Sequence, residues 1–364
     1  MSELRINNIT DRSGSCGPII AGVSTVSSTS HMVVPSGPTE MRKSPSVLDL
    51  SGNQQISSLG GRGRGITGGG FVSPSSQNVM DFIEIATSGN AQDFGDLTVI
   101  LRNIATCASS TRGTFAGGQS PSNSDVICFT TISSSGGAND FGNLREAMTN
   151  SNEGCISDNT RGIILYGGPT SLPQPTVQGT LDFITIPTTG DSSVFGELSV
   201  ARRQSASMAS PTRGVFATGK NDTTSTYLKL IDFVIIQTQG TAVTFGEIST
   251  NGREQSVGAG NKTRGLIAGG LGSGPTPFQS IDFITLATEG NGQDFGDLAA
   301  NRFGMSSMSS STRATFAGGS TPSNSNTIEF VTIATTGDAT DFGDLTVART
   351  VPQGLSDVHG GIGD

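Results

Sequence analysis

Tryptophan is absent from this chain of 364 residues, and histidine occurs only twice, at His31 and His359. The four cysteines stand without any C-x-x-C spacing: Cys16, Cys107, Cys128 and Cys155. A zinc site requires convergent cysteine and histidine ligands, so the sequence predicts no metal site of this kind. We interpret the cysteines as buried, reduced side chains, and the two distant histidines provide no visible nucleophile–base pair for catalysis.

Long apolar runs and clustered positive charge are also missing. No stretch approaches about 18 consecutive apolar residues, so no membrane insertion is expected. The opening residues, MSELRINNIT, lack the basic region and the apolar run of a secretory signal. Charged residues make up only 14% of the chain, the formal net charge is −9, and the arginines are dispersed. These properties disfavour a nucleic-acid-binding surface.

The chain is rich in glycine, and three short phrases each occur six times at a period near 50 residues. The arginines of the first phrase, "TRG" in most copies, are Arg64, Arg112, Arg161, Arg213, Arg264 and Arg313. The phenylalanines of the second phrase, "DF" in most copies, are Phe82, Phe129, Phe183, Phe233, Phe283 and Phe330. The phenylalanines of the third phrase, "FG", are Phe94, Phe141, Phe195, Phe245, Phe295 and Phe342. Such recurrence indicates a repeat architecture rather than a catalytic motif.

A fixed interval between two of these phrases indicates paired strands, and a variable interval indicates a surface loop. The two phenylalanines of a copy are always 12 residues apart, which predicts a hairpin of fixed register, whereas the arginine precedes the first of them by 17 to 22 residues. A glycine always follows the first phenylalanine by seven residues, and these are Gly89, Gly136, Gly190, Gly240, Gly290 and Gly337. We interpret this column as the tight turn of the hairpin, where a positive φ would favour glycine.

Each copy contains four short β-rich segments bounded by glycine, asparagine, aspartate and serine, and long helical periodicity is absent. Four strands repeated about every 40 to 50 residues predict an all-β fold, a six-bladed β-propeller. The simplest closure pairs a last strand, near residues 351–358, with the strand at residues 64–69. In the alternative, residues from Asn53 supply the first strand of the first blade and the last strand is an extra one.

Residues 1–50 differ from the remainder, because they contain no phenylalanine and none of the repeated phrases. The chain is therefore divided into an extended N-terminal arm at 1–50 and a six-bladed propeller at 51–364, with strands from both ends closing the ring.

The stretch LSVARRQSASMASPTRGVFATG, followed by IDFVIIQTQG, resembles the kelch repeat, although the tryptophan of that family is absent. The phrases TRGVFA, DFITIATTG-like segments and DFGDLTVAR resemble repeat proteins of marine cyanobacterial bacteriophages, and MVVPSGPTE resembles their virion N-terminal segments. The second resemblance implies a non-enzymatic structural protein of the virion, such as a tail or neck fibre or a capsid decoration. Its arm would bind other virion proteins, and the propeller would serve particle assembly or bind a host-surface glycan or protein, with assembly in the host cytoplasm. The chain is expected to form a homo-oligomer and to use no cofactor.

Two other classes of function stay open. A carbohydrate-active enzyme or lectin would carry an irregular charged cluster in the central channel, and a cellular kelch-type adaptor would bind a protein on one loop face. The loops between the second and third strands vary in length and chemistry, and Tyr227 and Phe278 are the candidate contact aromatics. The carboxylates of "DFGD", such as Asp93 with Asp96, offer too few oxygens for calcium without help. We interpret the arginine column as pairing with acidic residues or backbone carbonyls between blades.

Overall fold

The computed structural model describes residues 63–148, 154–167, 179–274 and 276–362. These residues form 29 β-strands and contain no helix. They build six four-stranded antiparallel sheets, and the innermost strand of each sheet contacts the innermost strands of the next and the preceding sheet. The predicted six-bladed β-propeller is therefore confirmed. The predicted arm at 1–50, together with Cys16 and His31, lies outside the described residues.

The strands, numbered in chain order, are given for each blade from the innermost to the outermost. Blades 1 to 3 contain β29 (Gln353–Ser356), β1 (Arg64–Gly68), β3 (Ser75–Glu84) and β4 (Gln92–Leu101); β5 (Ala105–Ala108), β6 (Arg112–Ala116), β7 (Ser124–Thr131) and β8 (Asn139–Met148); β9 (Cys155–Ser157), β10 (Arg161–Leu165), β11 (Thr180–Thr185) and β12 (Ser193–Glu197). Blades 4 to 6 contain β13 (Ala206–Ala209), β14 (Arg213–Ala217), β17 (Leu230–Ile235) and β18 (Val243–Glu247); β19 (Val257–Gly260), β20 (Arg264–Ala268), β21 (Ser280–Thr285) and β22 (Gln293–Asp297); β23 (Ser306–Ser309), β24 (Arg313–Ala317), β27 (Thr327–Thr332) and β28 (Thr340–Asp344). Short loop strands are β2 (Phe71–Val72), β15 (Lys220–Asn221), β16 (Thr226–Tyr227), β25 (Ser320–Thr321) and β26 (Ser323–Asn324).

The ring closes within blade 1, where β29 from the C-terminal end pairs with β1 from the N-terminal side. Gly65 lies opposite Ser356, and Gly68 lies opposite Gln353. The other edge of β1 pairs with β3. Both edges of β1 are thus occupied, which confirms the simpler closure and excludes the alternative in which residues from Asn53 pair with this strand.

The fixed spacing of 12 residues places the two phenylalanines of every copy in contact. All six pairs are edge-to-face, with ring centroids 6.0 to 6.4 Å apart. The glycine column, however, does not form the tight turn. The turn hydrogen bond runs from Thr87 N to Glu84 O in blade 1 and from equivalent residues in the other blades, so Gly89 lies two residues beyond it. The interpretation of this column as the turn itself was wrong, but the predicted positive φ is found at Gly136, Gly190, Gly240, Gly290 and Gly337, between 154° and 159°.

The glycine column instead lies against the outer strand of the preceding blade. Its carbonyl oxygen is so close to the "FG" glycine there that a side chain on the latter would overlap it, as for Gly136 against Gly95. Two residues beyond the column, a backbone amide donates to the neighbouring outer strand at 2.7 to 2.9 Å in all six junctions, for example from Ala138 to Asp96. Blade 1 contacts blade 6 in the same way, through Ala91 and Asp344. The "FG" glycine is therefore required by a close approach between blades.

The "TRG" glycine is also required by contact between blades, because its missing side chain leaves a hole that a side chain of the preceding blade fills. A Cβ atom on it would overlap the side chain that the preceding innermost strand points outward. The residues that fill these holes are Met308 at Gly65, Leu355 at Gly113, Cys107 at Gly162, Ile156 at Gly214 and Met208 at Gly265. At the sixth junction, Ala314 takes the place of the glycine. The residue that faces it from the preceding blade is correspondingly small, Ala259 of the same core cluster. The size of each hole is thus matched to its filler.

The arginine of "TRG" binds across the same junction. Its guanidinium stacks on the "DF" phenylalanine of its own blade, 4.2 to 4.7 Å from the ring centroid. Its Nη1 donates to a backbone carbonyl of the next blade at 2.8 to 3.4 Å in all six copies. The expected carbonyl contacts between blades are confirmed. Acidic partners are fewer: Arg213 contacts Glu289 of the next blade at 3.8 Å, and Arg64 contacts Glu84 of its own blade at 3.1 Å.

Gly214→Ala tests this matching of sizes. The added methyl group would overlap Ile156 Cδ1, so we expect a loss of about 1–3 kcal/mol in the free energy of unfolding. The double variant Ile156→Ala, Gly214→Ala reproduces the natural Ala259–Ala314 junction. We expect it to be more stable than the sum of the two single effects by about 1 kcal/mol or more, measured by chemical denaturation. Additive effects would show that the two positions do not share one space.

Candidate binding face

The loops between the second and third strands of each blade lie on the same face as the connections that lead from one blade into the next. This follows from the antiparallel order of the strands, and backbone bridges in five blades confirm it. Examples are Arg203 with Lys220 in blade 4 and Glu254 with Leu271 in blade 5. We call this side, with its variable loops around the central channel, the loop face.

A chain of backbone hydrogen bonds links the connections of blades 4, 5, 6 and 1 on the loop face. The residue just before the innermost strand is left-handed, with φ between 49° and 59°, at Asn103, Gln204, Gln255, Gly304 and Val351. Three of these amides donate to the equivalent carbonyl of the preceding blade, from Val351 to Gly304, Gly304 to Gln255 and Gln255 to Gln204, at 2.7 to 3.1 Å. Left-handed backbone is unfavourable for a β-branched residue, so the interblade bond offsets a local cost at Val351. Sequence reasoning missed these left-handed positions, because four different residue types occupy them.

Buried ion pairs hold these connections in place. Four arginines immediately ahead of the innermost strands are fully buried, and each contacts the acidic residue of the "DF" column in its own blade. The pairs are Arg202–Asp232 at 3.1 Å, Arg253–Asp282 at 2.7 Å, Arg302–Glu329 at 2.8 Å and Arg349–Asp81 at 3.0 Å. Burial lowers the pKa of Arg202, and the carboxylate of Asp232 opposes that shift. A buried charge without its partner would be strongly destabilising.

Blades 2 and 3 lack such a pair, but neither leaves a buried charge without a partner. In blade 2 the arginine position is Leu101 and the acid position is Cys128, so both charges are missing together and the two side chains share an apolar cluster. In blade 3, Asp182 is retained but the arginine position is Met148. Arg145 from the outer strand of blade 2 then binds Asp182 at 2.6 Å, and Tyr166 and Ser192 donate hydroxyl groups to it. The irregular copies therefore obey the same requirement for charge compensation.

Tyr227 and Phe278, the predicted contact aromatics, both lie on the loop face and both are half-buried. Tyr227 is in β16, with Lys220 Nζ 5.2 Å from its ring centroid. Phe278 lies 5.6 Å from the guanidinium of Arg253, and its carbonyl accepts from Arg302 N. Each ring is thus partly used in packing. Phe71, which sequence reasoning missed, is a third half-buried aromatic residue here, with Arg102 4.5 Å from its ring centroid.

A charged cluster joins the loops of blades 4 and 5. Arg203 contacts Asp222 at 2.6 Å and Glu254 at 3.1 Å, and Lys220 lies 3.7 Å from Asp222. Burial raises the pKa of Glu254, while the positive charges of Arg203 and Lys220 oppose that rise. Two cations and two carboxylates balance one another, so this cluster fixes the loops at the junction and presents a polar surface around Tyr227.

The central channel is narrow because the innermost strands carry small residues. It encloses a cavity of about 70 Å³, lined chiefly by serine, glycine and alanine, which has room for a few water molecules. Hydroxyl groups bridge neighbouring strands at 2.5 to 2.7 Å. These bonds run from Thr106 to Gly354 O, from Ser207 to Cys155 O, from Ser307 to Gly258 O and from Ser356 to Ser309 O. The lining carries no carboxylate, lysine or arginine among the described residues.

Residues 359–362 cross the channel on the side opposite the loop face. His359 Nε2 lies 3.1 Å from Ser157 Oγ and 3.3 Å from Ala108 O, and Gly361 N donates to His359 Nδ1 at 3.1 Å. Nδ1 therefore accepts while Nε2 carries the proton, which assigns the neutral imidazole. Burial lowers the pKa of His359 to about 4. His359 thus contacts the innermost strands of blades 2 and 3, at the end of the channel opposite the loop face.

The acidic residues of the "DFGD" segments lie at the rim. Asp93, Asp96 and Asp294 are exposed, and Asp297 is half-exposed and accepts from Gln279 at 3.3 Å. In the part of the chain that the structure describes, no group of three or more histidine, cysteine, aspartate or glutamate side chains converges to hold a metal ion. The described cysteines, Cys107, Cys128 and Cys155, are buried and free, as interpreted from the sequence.

Comparisons with known proteins add no relative: no model of a protein family matches the chain, and no curated protein matches it. The described residues contain no helix of the length and apolar character needed to cross a membrane.

Arg302→Leu and Glu329→Cys test the buried ion pairs, because together they reproduce the natural Leu101 and Cys128 of blade 2. Each single variant leaves one buried charge unpaired, and we expect it to lose about 3–5 kcal/mol of unfolding free energy. The double variant is expected to recover at least half of that loss in chemical denaturation. Two single effects that simply add would contradict charge compensation as the reason for the matched pairs.

His359→Gln tests the neutral histidine. A histidine whose folded pKa is near 4 instead of 6.5 stabilises the fold fully above pH 6.5, and this stability is lost as the pH falls toward 4. Because the His359 side chain is only half-buried, solvent weakens this effect. We expect a loss of about 2 kcal/mol in the free energy of unfolding over this pH range. Denaturation at pH 7, 5.5 and 4 should show that the variant lacks this component. Equal pH dependence in the variant and the natural protein would contradict the assignment.

Proposed function

We propose that this chain is a non-enzymatic structural protein of a bacteriophage particle, such as a tail or neck fibre or a capsid decoration protein. Residues 1–50 bind other proteins of the particle, and the propeller presents its loop face for attachment to a host-surface glycan or protein or for assembly with further copies. The repeated phrases and the N-terminal segment that resemble virion proteins of marine cyanobacterial phages support this assignment to a particle.

One observation carries the proposal: the repeated residues form the contacts within and between blades, whereas the variable residues lie in the loops. The repeated arginines, glycines and phenylalanines are committed to contacts within and between blades, from the rim to the channel. The loops of the loop face differ from blade to blade in length and chemistry. A rigid frame that carries variable loops suits recognition of an external surface.

The geometry of the channel favours this proposal over an enzyme. A carbohydrate-active propeller would place carboxylates where a substrate reaches the axis. Here the described lining is small and uncharged, hydroxyl groups bridge the strands, and residues 359–362 cross one end. Recognition by the loop face requires no such carboxylates, and its half-buried aromatics and charged cluster are the kinds of groups that contact a glycan or a protein.

The test compares three versions of the gene in the phage that encodes it: natural, lacking residues 1–50, and carrying Tyr227→Ala. Purified particles are analysed by mass spectrometry, and adsorption to host cells is measured in parallel. We expect the natural and Tyr227→Ala chains in the particle, the shortened chain to be absent from it, and adsorption to fall several-fold with Tyr227→Ala.

Thermal unfolding of each purified chain controls for misfolding. Absence of the natural chain from particles, or full incorporation of the chain without residues 1–50, would contradict the virion role. Unchanged adsorption with Tyr227→Ala would restrict the proposal to assembly within the particle.

A further inference from the structure

Two cysteines meet at the junction between blades 2 and 3. Cys107 lies in β5 and Cys155 lies in β9, and their Sγ atoms are 2.9 Å apart in the buried interior. A disulfide bond requires a separation of about 2.05 Å, so an approach of about 0.9 Å would complete it. No other part of the described chain brings two sulfur atoms of cysteine together. We propose that Cys107 and Cys155 form an oxidation-dependent disulfide that links blade 2 covalently to blade 3.

The repeat itself supplies an independent argument. Cys107 fills the hole at Gly162, and at the other five junctions the equivalent fillers are Leu355, Ile156, Met208, Ala259 and Met308. Cys155 occupies the channel-lining position that elsewhere holds Gly354, Thr106, Ser207, Gly258 and Ser307. Neither position is cysteine in any other blade, yet both are cysteine at the one junction where they touch. A merely small apolar side chain at each position would not require this coincidence.

The surroundings permit the bond to form. Gly162 has no side chain, and its place is occupied by the Cβ and Sγ atoms of Cys107. The backbone of Cys155 is fixed by Ser207, whose Oγ accepts from Cys155 N at 3.0 Å and donates to Cys155 O at 2.5 Å. Closing the pair joins two sulfur atoms on strands whose positions are already fixed by these contacts.

A small oxidant has a route to the pair, because Cys155 lines the central cavity of about 70 Å³. Hydrogen peroxide is small and uncharged enough to enter such a space. It transfers one oxygen to a thiol, which gives a sulfenic acid and one water molecule. The second thiol then attacks that sulfur, forms the S–S bond and releases a second water molecule. Two thiols are thus oxidised by two electrons, and one peroxide is reduced to two water molecules.

Burial raises the pKa of Cys155, and the neighbouring Cys107 thiol adds to this rise, so the reactive thiolate is scarce in the folded protein. The reaction with peroxide will consequently be slow, and incubation for hours is needed. In a reducing cytoplasm the pair stays as two thiols, whereas prolonged exposure to an oxidising exterior closes it.

The experiment uses the full chain, purified under reducing conditions and then incubated with hydrogen peroxide. Free thiols are alkylated in denaturant, and the chain is digested and analysed by mass spectrometry without reduction. We expect a cross-linked peptide that joins Cys107 to Cys155, and a thermal midpoint raised by about 5–10 °C that returns to its original value after treatment with dithiothreitol.

The matched control is Cys155→Ser, because the same ring position holds Ser207 and Ser307, whose hydroxyl groups bind the preceding blade. This variant should fold and should show no peroxide-dependent rise in midpoint. The proposal is overturned if Cys107 and Cys155 are recovered as alkylated thiols, or as separately oxidised acids. It is equally overturned if the cross-link involves Cys128, or if it forms without raising the midpoint of the natural chain.

Discussion

Close approach of neighbouring blades is the constraint on which this molecule depends. The carbonyl oxygen of one blade lies against the bare Cα atom of an "FG" glycine in the preceding blade, and outward side chains of the innermost strands fill the holes left by "TRG" glycines. One blade exposes apolar faces that only two neighbours can cover, so stability arises from the set of junctions. The channel, the rim and the loop face all derive their positions from six equivalent junctions, including the one between blades 6 and 1.

The exceptions in the repeat follow from the same constraint. Ala314 replaces a glycine where the side chain it faces is only Ala259, and Leu101 replaces a buried arginine where the acid has become Cys128. Arg145 restores the charge balance of Asp182 from another strand. Residues that appear irregular along the sequence are therefore matched in space. At these framework positions a change in charge, or the loss of a glycine, is accompanied by a change at the partner residue, whereas the loops of the loop face differ from blade to blade.

The sequence predicted the elements that depend on local pattern and on spacing. The number of blades, the strands of each copy and the closure by β29 follow from phrases such as those at Phe82 and Phe94, because the interval between them sets the register. Sequence reasoning failed where the cause lies between blades. It assigned Gly89 to the turn, whereas the carbonyl oxygen of Gly89 lies against Gly343 in blade 6. The left-handed positions, which include Gln204 and Val351, are occupied by different residue types, so no sequence pattern indicates them.

The six blades form one cooperative unit that is closed by β29. Hydrogen exchange measured by mass spectrometry on the natural chain and on a chain ending at residue 350, which lacks β29, tests this claim most directly. We expect removal of β29 to abolish slow exchange in the innermost strands of all six blades, including β13 on the far side of the ring. Loss of protection confined to blade 1, with blades 2 to 6 still protected, would contradict it.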